Sequence, residues 1–387
     1  MQKKIYLDNS ATTKISNTAY GAMLPYFLKF YENASSSYEM ARNNRKVIDN
    51  ARDIIATSLN ANNANEVYFT SGGTEANNWA IKGVAHANRA KGKHIITTSI
   101  EHHSVLHCFE YLQKSYGYII TYVQPQKNGI INIEEIKNQI TDETILVSVM
   151  FANNETGALQ PIYEIGQYLK KRGILFHTDA VQAFGHIPID VSQLNIDLVS
   201  LSAHKLYGPK GVGALYVKSG TKIEPIIHGG SQERSRRAGT ENVPLIVGFG
   251  VAVKEAIEEM YVYQKKIKRL SDMAIDGILG TVPYATFNGD RDLRLPHIFN
   301  ISFKNANGES MVIMLDYRGI VVSSGSACTS GATSPSHVLL AMGCSSDEAG
   351  GAIRISLSHN NKEEDIQILL KELPQIVSKL RAMSLGE

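Results

Sequence analysis

Over the first half of the chain, short and continuously apolar runs alternate with stretches of helical periodicity. Between Glu66 and about Lys218, "EVYFTS" precedes "TEANNWAIKGVAHA", "HIITTS" precedes "HHSVLHCFEYLQKS", and "TILVSVMFA" precedes "PIYEIGQYLKKRG". "LFHTDAV", "DLVSLSA" and "GALYVK" follow with little helix between them. A strand with one wet face alternates apolar and polar residues. These runs do not, so they predict a mostly parallel sheet covered by helices on both faces, an α/β domain. A helical stretch that begins near Pro244 and passes Lys268 predicts a connector. Beyond it, "IFNISF", "ESMVIMLDYRG", "IVVSSGS" and "AIRISLS" lead to a last amphipathic helix carrying Ile366, Leu369, Leu370, Leu373 and Leu380 at helical spacing. That is an α+β pattern. The expected division is a large α/β domain at 15–255 and a smaller α+β domain made of 1–14 and 256–387.

Two domains suit a chain of 387 residues. Composition adds exclusions. With 43% hydrophobic and 20% charged residues the chain reads as an ordinary globular protein, and a formal charge of +2 gives no reason to expect direct nucleic-acid binding. No apolar stretch is long enough to span a bilayer, and "MQKKIYLDNSATT" lacks the apolar run of a signal peptide, so no membrane partner is expected. The three cysteines, Cys108, Cys328 and Cys344, suit neither a disulfide framework nor a zinc site, which points to a reducing cytoplasm.

Candidate chemistry gathers at predicted strand ends. Asp179 in "LFHTDAVQA" and Lys205 in "SLSAHKLYGPKGVG" both fall at the C-terminal ends of strands, where open parallel sheets bind ligands. Either residue alone reads as a helix cap or a solvated lysine. Together, with Ser202 and His204 beside Lys205 and a glycine-rich turn at 208–213, they are harder to dismiss. In "TSGGTEANN" a strand ends at Ser71, two glycines follow, and a helix begins at Thr74 or Glu75. Amide groups at such a helix start have no internal partner and attract a phosphate, and glycine lets the backbone come close. Neither the dinucleotide fingerprint nor a P-loop is present. A lysine, an aspartate and a phosphate cradle at one sheet edge fit pyridoxal phosphate.

These motifs, in this order and spacing, resemble the cysteine desulfurases of the NifS/IscS type, within the class V aminotransferase group of fold-type I pyridoxal phosphate enzymes. The resemblance runs from "IYLDNSATT" through "FTSGGTEANN", "EHHSVL", "NNETGALQPI", "HTDAVQ" and "SAHKLYGPKGVGALY" to "GGSQERSRRAGTENV", "SSGSACTSG" and "IRISL". It implies a large domain with a mostly parallel sheet of seven strands and a small domain carrying the cysteine loop. It implies that Lys205 holds pyridoxal phosphate covalently, that Asp179 pairs with the ring nitrogen, and that Gln182 contacts the ring hydroxyl. Thr74, Ser202, His204 and the Gly73 backbone take the phosphate. Thr240 is implied to reach the phosphate of a partner subunit, making a homodimer. His102 is implied to stack on the cofactor and assist proton transfer, and Asn154 and Arg354 to hold the carboxylate of L-cysteine. Cys328 is implied to attack the substrate sulfur, leaving alanine and a persulfide that passes to an acceptor, such as an iron–sulfur scaffold or a tRNA-thiolation protein.

The alternatives are another class V enzyme, such as an aminotransferase or selenocysteine lyase, for which Cys328 is dispensable, and a silent scaffold on the same fold, against which Lys205, Asp179, His102 and Arg354 argue. His103 and His107 have the spacing of a metal pair but no third ligand is suggested nearby, so no metal is expected. Cys108 and Cys344 read as structural. The "SSGSACTSG" segment resembles the subgroup with the longer loop, and its small polar residues predict poor order over 323–331. Two departures stand out. Ala34, Tyr38 and Ala41 in "NASSSYEMA" replace the family's usual Pro, His and Gly, which touches the backbone near the pocket entrance. Ser231 and Ser235 replace glycines, a change expected to be minor.

Overall fold

The computed structural model describes residues 4–324 and 335–384. The segment 325–334, with Cys328 and most of the stretch expected to be poorly ordered, lies outside the described residues.

Seven strands form the large sheet: β1 (Val67–Thr70), β2 (His94–Thr98), β3 (Ile119–Val123), β4 (Thr144–Ser148), β5 (Leu175–Asp179), β6 (Leu198–Ser202) and β7 (Gly213–Val217). Their spatial order is β1-β7-β6-β5-β4-β2-β3. The pairings among β3, β2, β4, β5 and β6 are parallel, and only β7 runs against its neighbours β6 and β1. Every residue of β2, β4, β6 and β7 is buried, the result of helices on both faces. Helix α1 (Gly73–Asn88) follows β1 and α2 (His103–Tyr116) follows β2, each starting at the C-terminal edge of the sheet. The first begins one residue before its expected start, at Gly73.

Helix α3 (Val243–Thr281) is 39 residues long. Asn242 caps it by accepting from the Leu245 amide, and Pro244 fits its first turn. Its first half, from Val243 to Ala256, packs into the core beneath the large sheet; its second half, from Ile267 to Ile278, packs into a separate core with Phe299, Ile301, Ile353 and the last helix, Glu363–Ser384. The expected division at 255/256 therefore falls inside one continuous helix. The second core lies against a four-stranded antiparallel sheet of Ala285–Asn288, Ile298–Phe303, Ser323–Ser324 and Ala352–Ser356. The N-terminal strand Ile5–Tyr6 pairs in parallel with Ile320–Val321, and the chain then crosses to the C-terminal edge of the large sheet. Among the described residues no helix is long and apolar enough to cross a membrane.

Candidate active site

The C-terminal ends of β1, β5 and β6 and the crossing segment around Ser10 enclose a cavity of about 330 Å³. Its polar end is built by backbone. Helix α1 starts at Gly73, where an added Cβ would lie 2.7 Å from a methyl of Val181, so only glycine brings this amide so close to the turn after β5. At Gly213 a Cβ would sit 2.4 Å from the Leu201 carbonyl and 2.8 Å from the Gly72 backbone, which explains the glycine-rich turn before β7. Thr74, Ser202 and His204 line the cavity with Gly73. Burial, reinforced by Lys205 and Lys210, pushes the His204 imidazole down to about 4, so the ring is neutral at pH 7. A helix start, two hydroxyls and a neutral imidazole make a site for a phosphate.

Asp179 closes β5. Its Oδ1 accepts from the Val181 amide at 3.0 Å and its Oδ2 from Asn77 Nδ2 at 2.7 Å. Gln182 donates to the Ser10 carbonyl at 3.0 Å. Lys205 sits in the short turn after β6, and its Nζ donates to the carbonyls of Ser10 and Ala11 at 2.5 and 2.8 Å. Behind it, the Lys205 carbonyl meets His186 Nε2 at 3.0 Å, and that ring stacks on His297 with centroids 4.1 Å apart. His102 caps α2 through its own ring: Nδ1 accepts from the Ser104 amide at 3.1 Å. Burial is the main influence lowering the His102 pKa; Lys205, His103 and His107 add to it and Asp179 opposes it.

Arg354 and Asn154 form another wall of the cavity. The guanidinium, only 3% exposed, donates from Nη1 to the Asn154 carbonyl at 3.1 Å and from Nη2 to Asp8 Oδ1 at 2.8 Å. Two buried carboxylic acids flank this region. Desolvation raises Glu101 to about 8 against hydrogen bonds from Met150 N–H and the Thr98 hydroxyl, and raises Glu155 to about 7 against a hydrogen bond from Ser336 and the field of Arg354.

The structure thus brings Gly73, Thr74, His102, Asn154, Asp179, Gln182, Ser202, His204, Lys205 and Arg354 to one cavity. Thr240 is not among them. It is exposed and borders a separate hollow with Ser71, Gly239 and Arg237. Of the departures from the family pattern, Ala34, Tyr38 and Ala41 do not line the cavity. Ser235 is more consequential than expected: its φ is +61°, in a run of left-handed residues with Glu233 and Arg234, whose carboxylate and guanidinium tie β1 to this turn. Burial pushes the Cys108 thiol up to about 12 and raises that of Cys344, so both are poor nucleophiles. Sequence reasoning missed Asp8, Ser10, Asn77, Glu101, Ser104 and Glu155; each lies inside one of the quoted motifs, but nothing in the motif announces its contacts.

A seven-stranded, mostly parallel α/β sheet with an antiparallel second sheet is the architecture of fold-type I pyridoxal phosphate enzymes. The profile of the aminotransferase class-V family matches residues 5–369, and the chain belongs to that family. It is 50% identical over 386 residues to "Cysteine desulfurase IscS" of Clostridium botulinum (strain Hall), covering 99% of this chain and 97% of that one. It is 50% identical over 382 residues to "Cysteine desulfurase IscS" of Methanosarcina thermophila, covering 99% and 94%. A solved "NIFS-LIKE PROTEIN" superposes with a TM-score of 0.91 at 37% identity, covering 97% of this chain and 100% of that one.

Proposed function

We propose that this protein is a pyridoxal phosphate-dependent cysteine desulfurase that converts L-cysteine to L-alanine and takes the sulfur as a persulfide on Cys328. The observation that carries the reading is the meeting of Lys205, Asp179, His102 and Arg354 in one cavity that has a phosphate-binding end. The residues fit the cofactor. Lys205 would hold it covalently, Asp179 would pair with its ring nitrogen, Gln182 would contact its ring hydroxyl, and Gly73, Thr74, Ser202 and His204 would take its phosphate. When bound, pyridoxal phosphate supplies an electron sink for negative charge at the substrate α-carbon. Arg354 matches the flat substrate carboxylate with paired N–H donors, and Asn154 completes that contact. The Cys328 thiolate forms an S–S bond to the substrate sulfur while the substrate Cβ–S bond breaks; the electron pair stays with carbon, which is protonated to give alanine.

The active unit is a homodimer in which Thr240 serves the neighbouring site. Its exposure outside its own chain's cavity supports this, as does the cluster of exposed Tyr20, Leu24, Phe27, Leu28 and Tyr31, since monomers rarely leave such patches uncovered. The sulfur acceptor is an iron–sulfur scaffold or tRNA-thiolation protein, and the compartment is the cytoplasm.

The test is brief exposure to L-cysteine without reductant, followed by alanine quantitation and mass spectrometry of cysteine peptides. One added sulfur on Cys328, with alanine formed in proportion, is the expected result. Alanine formation at full rate by Cys328→Ser protein would refute the persulfide role and favour another class V reaction.

A further inference from the structure

A continuous set of hydrogen bonds joins Asp179 to His102 through Asn77 and Ser104, two residues to which the sequence reading gave no role. Asn77, on the first turns of α1, is 1% exposed. Its Nδ2 donates to Asp179 Oδ2 at 2.7 Å and to Ser104 Oγ at 2.8 Å. Ser104 Oγ lies 2.8 Å from His102 Nδ1. The direction of each bond follows from chemistry. A carboxylate oxygen only accepts, so the Asn77 amide must turn its nitrogen towards Asp179; the flipped amide would set two acceptors against each other. That choice leaves Asn77 Oδ1 buried with no hydrogen-bond partner among the described residues, a sacrifice that fits a side chain held for its two donors. Ser104 Oγ accepts from Asn77, so its own hydrogen is free for His102 Nδ1. The Ser104 backbone amide, which can only donate, points at the same nitrogen at 3.1 Å. Nδ1 therefore receives two donors, and in the neutral ring the single proton resides on Nε2.

We propose that Asn77 and Ser104 are positioning residues that lock His102 in its Nε2–H tautomer, so that the ring offers the cavity a hydrogen-bond donor and is suppressed as a base at Nε2. Taking up a second proton at Nδ1 would cost His102 the Ser104 amide contact and turn the Ser104 hydroxyl from donor to acceptor. Charged and titratable groups face the ring from each surrounding element: Asp179 on β5, Lys205 in the turn after β6, His103 and His107 on α2, and His337 on the short helix His337–Ala341. Of these only Asp179 favours the imidazolium, so the relay acts with the prevailing field. The donor role towards substrate rests on the desulfurase reading; the tautomer does not.

The experiment uses full-length holoprotein carrying ¹³C,¹⁵N-histidine, with His102→Gln for assignment, and follows ring nitrogen shifts and pH titration by NMR. The parent should show His102 protonated on Nε2 through neutral pH. Ser104→Ala removes one donor to the neutral ring, so the His102 pKa should rise by about half to one unit. Ser104→Thr should restore it. Asn77→Ala should give a smaller rise, because the serine hydroxyl is then free to turn. Equal cofactor absorbance and melting temperature across the set show that the fold is kept. A proton on Nδ1 in the parent, or a His102 pKa in Ser104→Ala within about 0.2 units of the parent, would overturn the proposal. Failure of the parent to form alanine would sink the desulfurase reading while leaving the tautomer result intact.

Discussion

On the proposed reading, replacing Arg354 by alanine should do two separable things, because the guanidinium would serve two carboxylates. One is the substrate's. A charge-assisted, paired contact to a carboxylate is worth roughly 1.5–3 kcal/mol, which at about 1.4 kcal/mol per tenfold is a rise of about 10- to 150-fold in the KM for cysteine. The other is the protein's own. Arg354 Nη2 holds Asp8 at 2.8 Å, and the Asp8 side chain is only 16% exposed. Deleting the arginine leaves that carboxylate without its partner. Breaking a buried pair costs about 3–5 kcal/mol, and the partial exposure of Asp8 places this one at the low end, a loss of a few degrees in Tm. The Arg354→Ala variant alone therefore conflates weaker substrate binding with a weaker fold. The double variant Asp8→Asn/Arg354→Ala separates them, since a neutral amide at position 8 no longer needs a cation. We expect Arg354→Ala to raise KM and lower Tm, and the double variant to recover most of the Tm while KM stays high. Steady-state alanine production against cysteine concentration, with thermal melting of each variant, decides the matter. A KM for Arg354→Ala within about threefold of the parent, or a KM restored by the Asp8 change, refutes the assignment of Arg354 to the substrate carboxylate.

Ser235→Gly should stabilise the protein by roughly 1 kcal/mol, about 1 °C in Tm, because a serine at φ +61° bears left-handed strain that glycine does not; a fall in Tm would contradict this. Glu101 holds its proton to about pH 8 in the folded chain against a reference of 4.5, so its contribution is fully present below about pH 4.5 and is lost as pH rises towards 8. Denaturation at pH 5, 6.5 and 8 should therefore show Glu101→Gln gaining on the parent with pH, by up to a few kcal/mol, and a flat difference would show that the carboxyl is ionised throughout. Mixing inactive Lys205→Ala with an inactive Thr240 variant under subunit exchange should recover some activity, since one site of the mixed dimer carries neither change; no recovery with exchange verified would place Thr240 in its own chain's site.

What could be read from the sequence was set by how local the controlling physics is. Asp179 and Lys205 were legible because apolar runs fix where β5 and β6 end, and a strand's C-terminal end in a parallel sheet is already an address. Gly73 was legible because two glycines between a strand and a helix imply close backbone approach. Ser104 was hidden for the opposite reason. In "EHHSVL" it is an ordinary first-turn residue, and its weight comes from Asn77, 27 positions earlier on another helix. Asp8 gains its meaning from Arg354, 346 positions away, where the N-terminal segment crosses to the large sheet. Ser10 and Ala11 act through carbonyls, which no side-chain pattern records. Glu101 looks like any acidic residue before a histidine, yet the sheet, Met150 and Thr98 enclose it completely. Ser235 passed as minor because composition does not carry φ. The same division has a functional consequence. The groups proposed to hold the cofactor come from strand and helix ends, whose positions the local sequence dictates, and Asn77 and Ser104 lie on the two helices that start there, whereas Arg354 lies within the small sheet and takes its orientation from Asp8 on the N-terminal crossing. The site therefore draws on the whole chain: Lys205 and Gln182 are held by the Ser10 carbonyl on the N-terminal crossing, and Arg354 is tied to both Asp8 and Asn154.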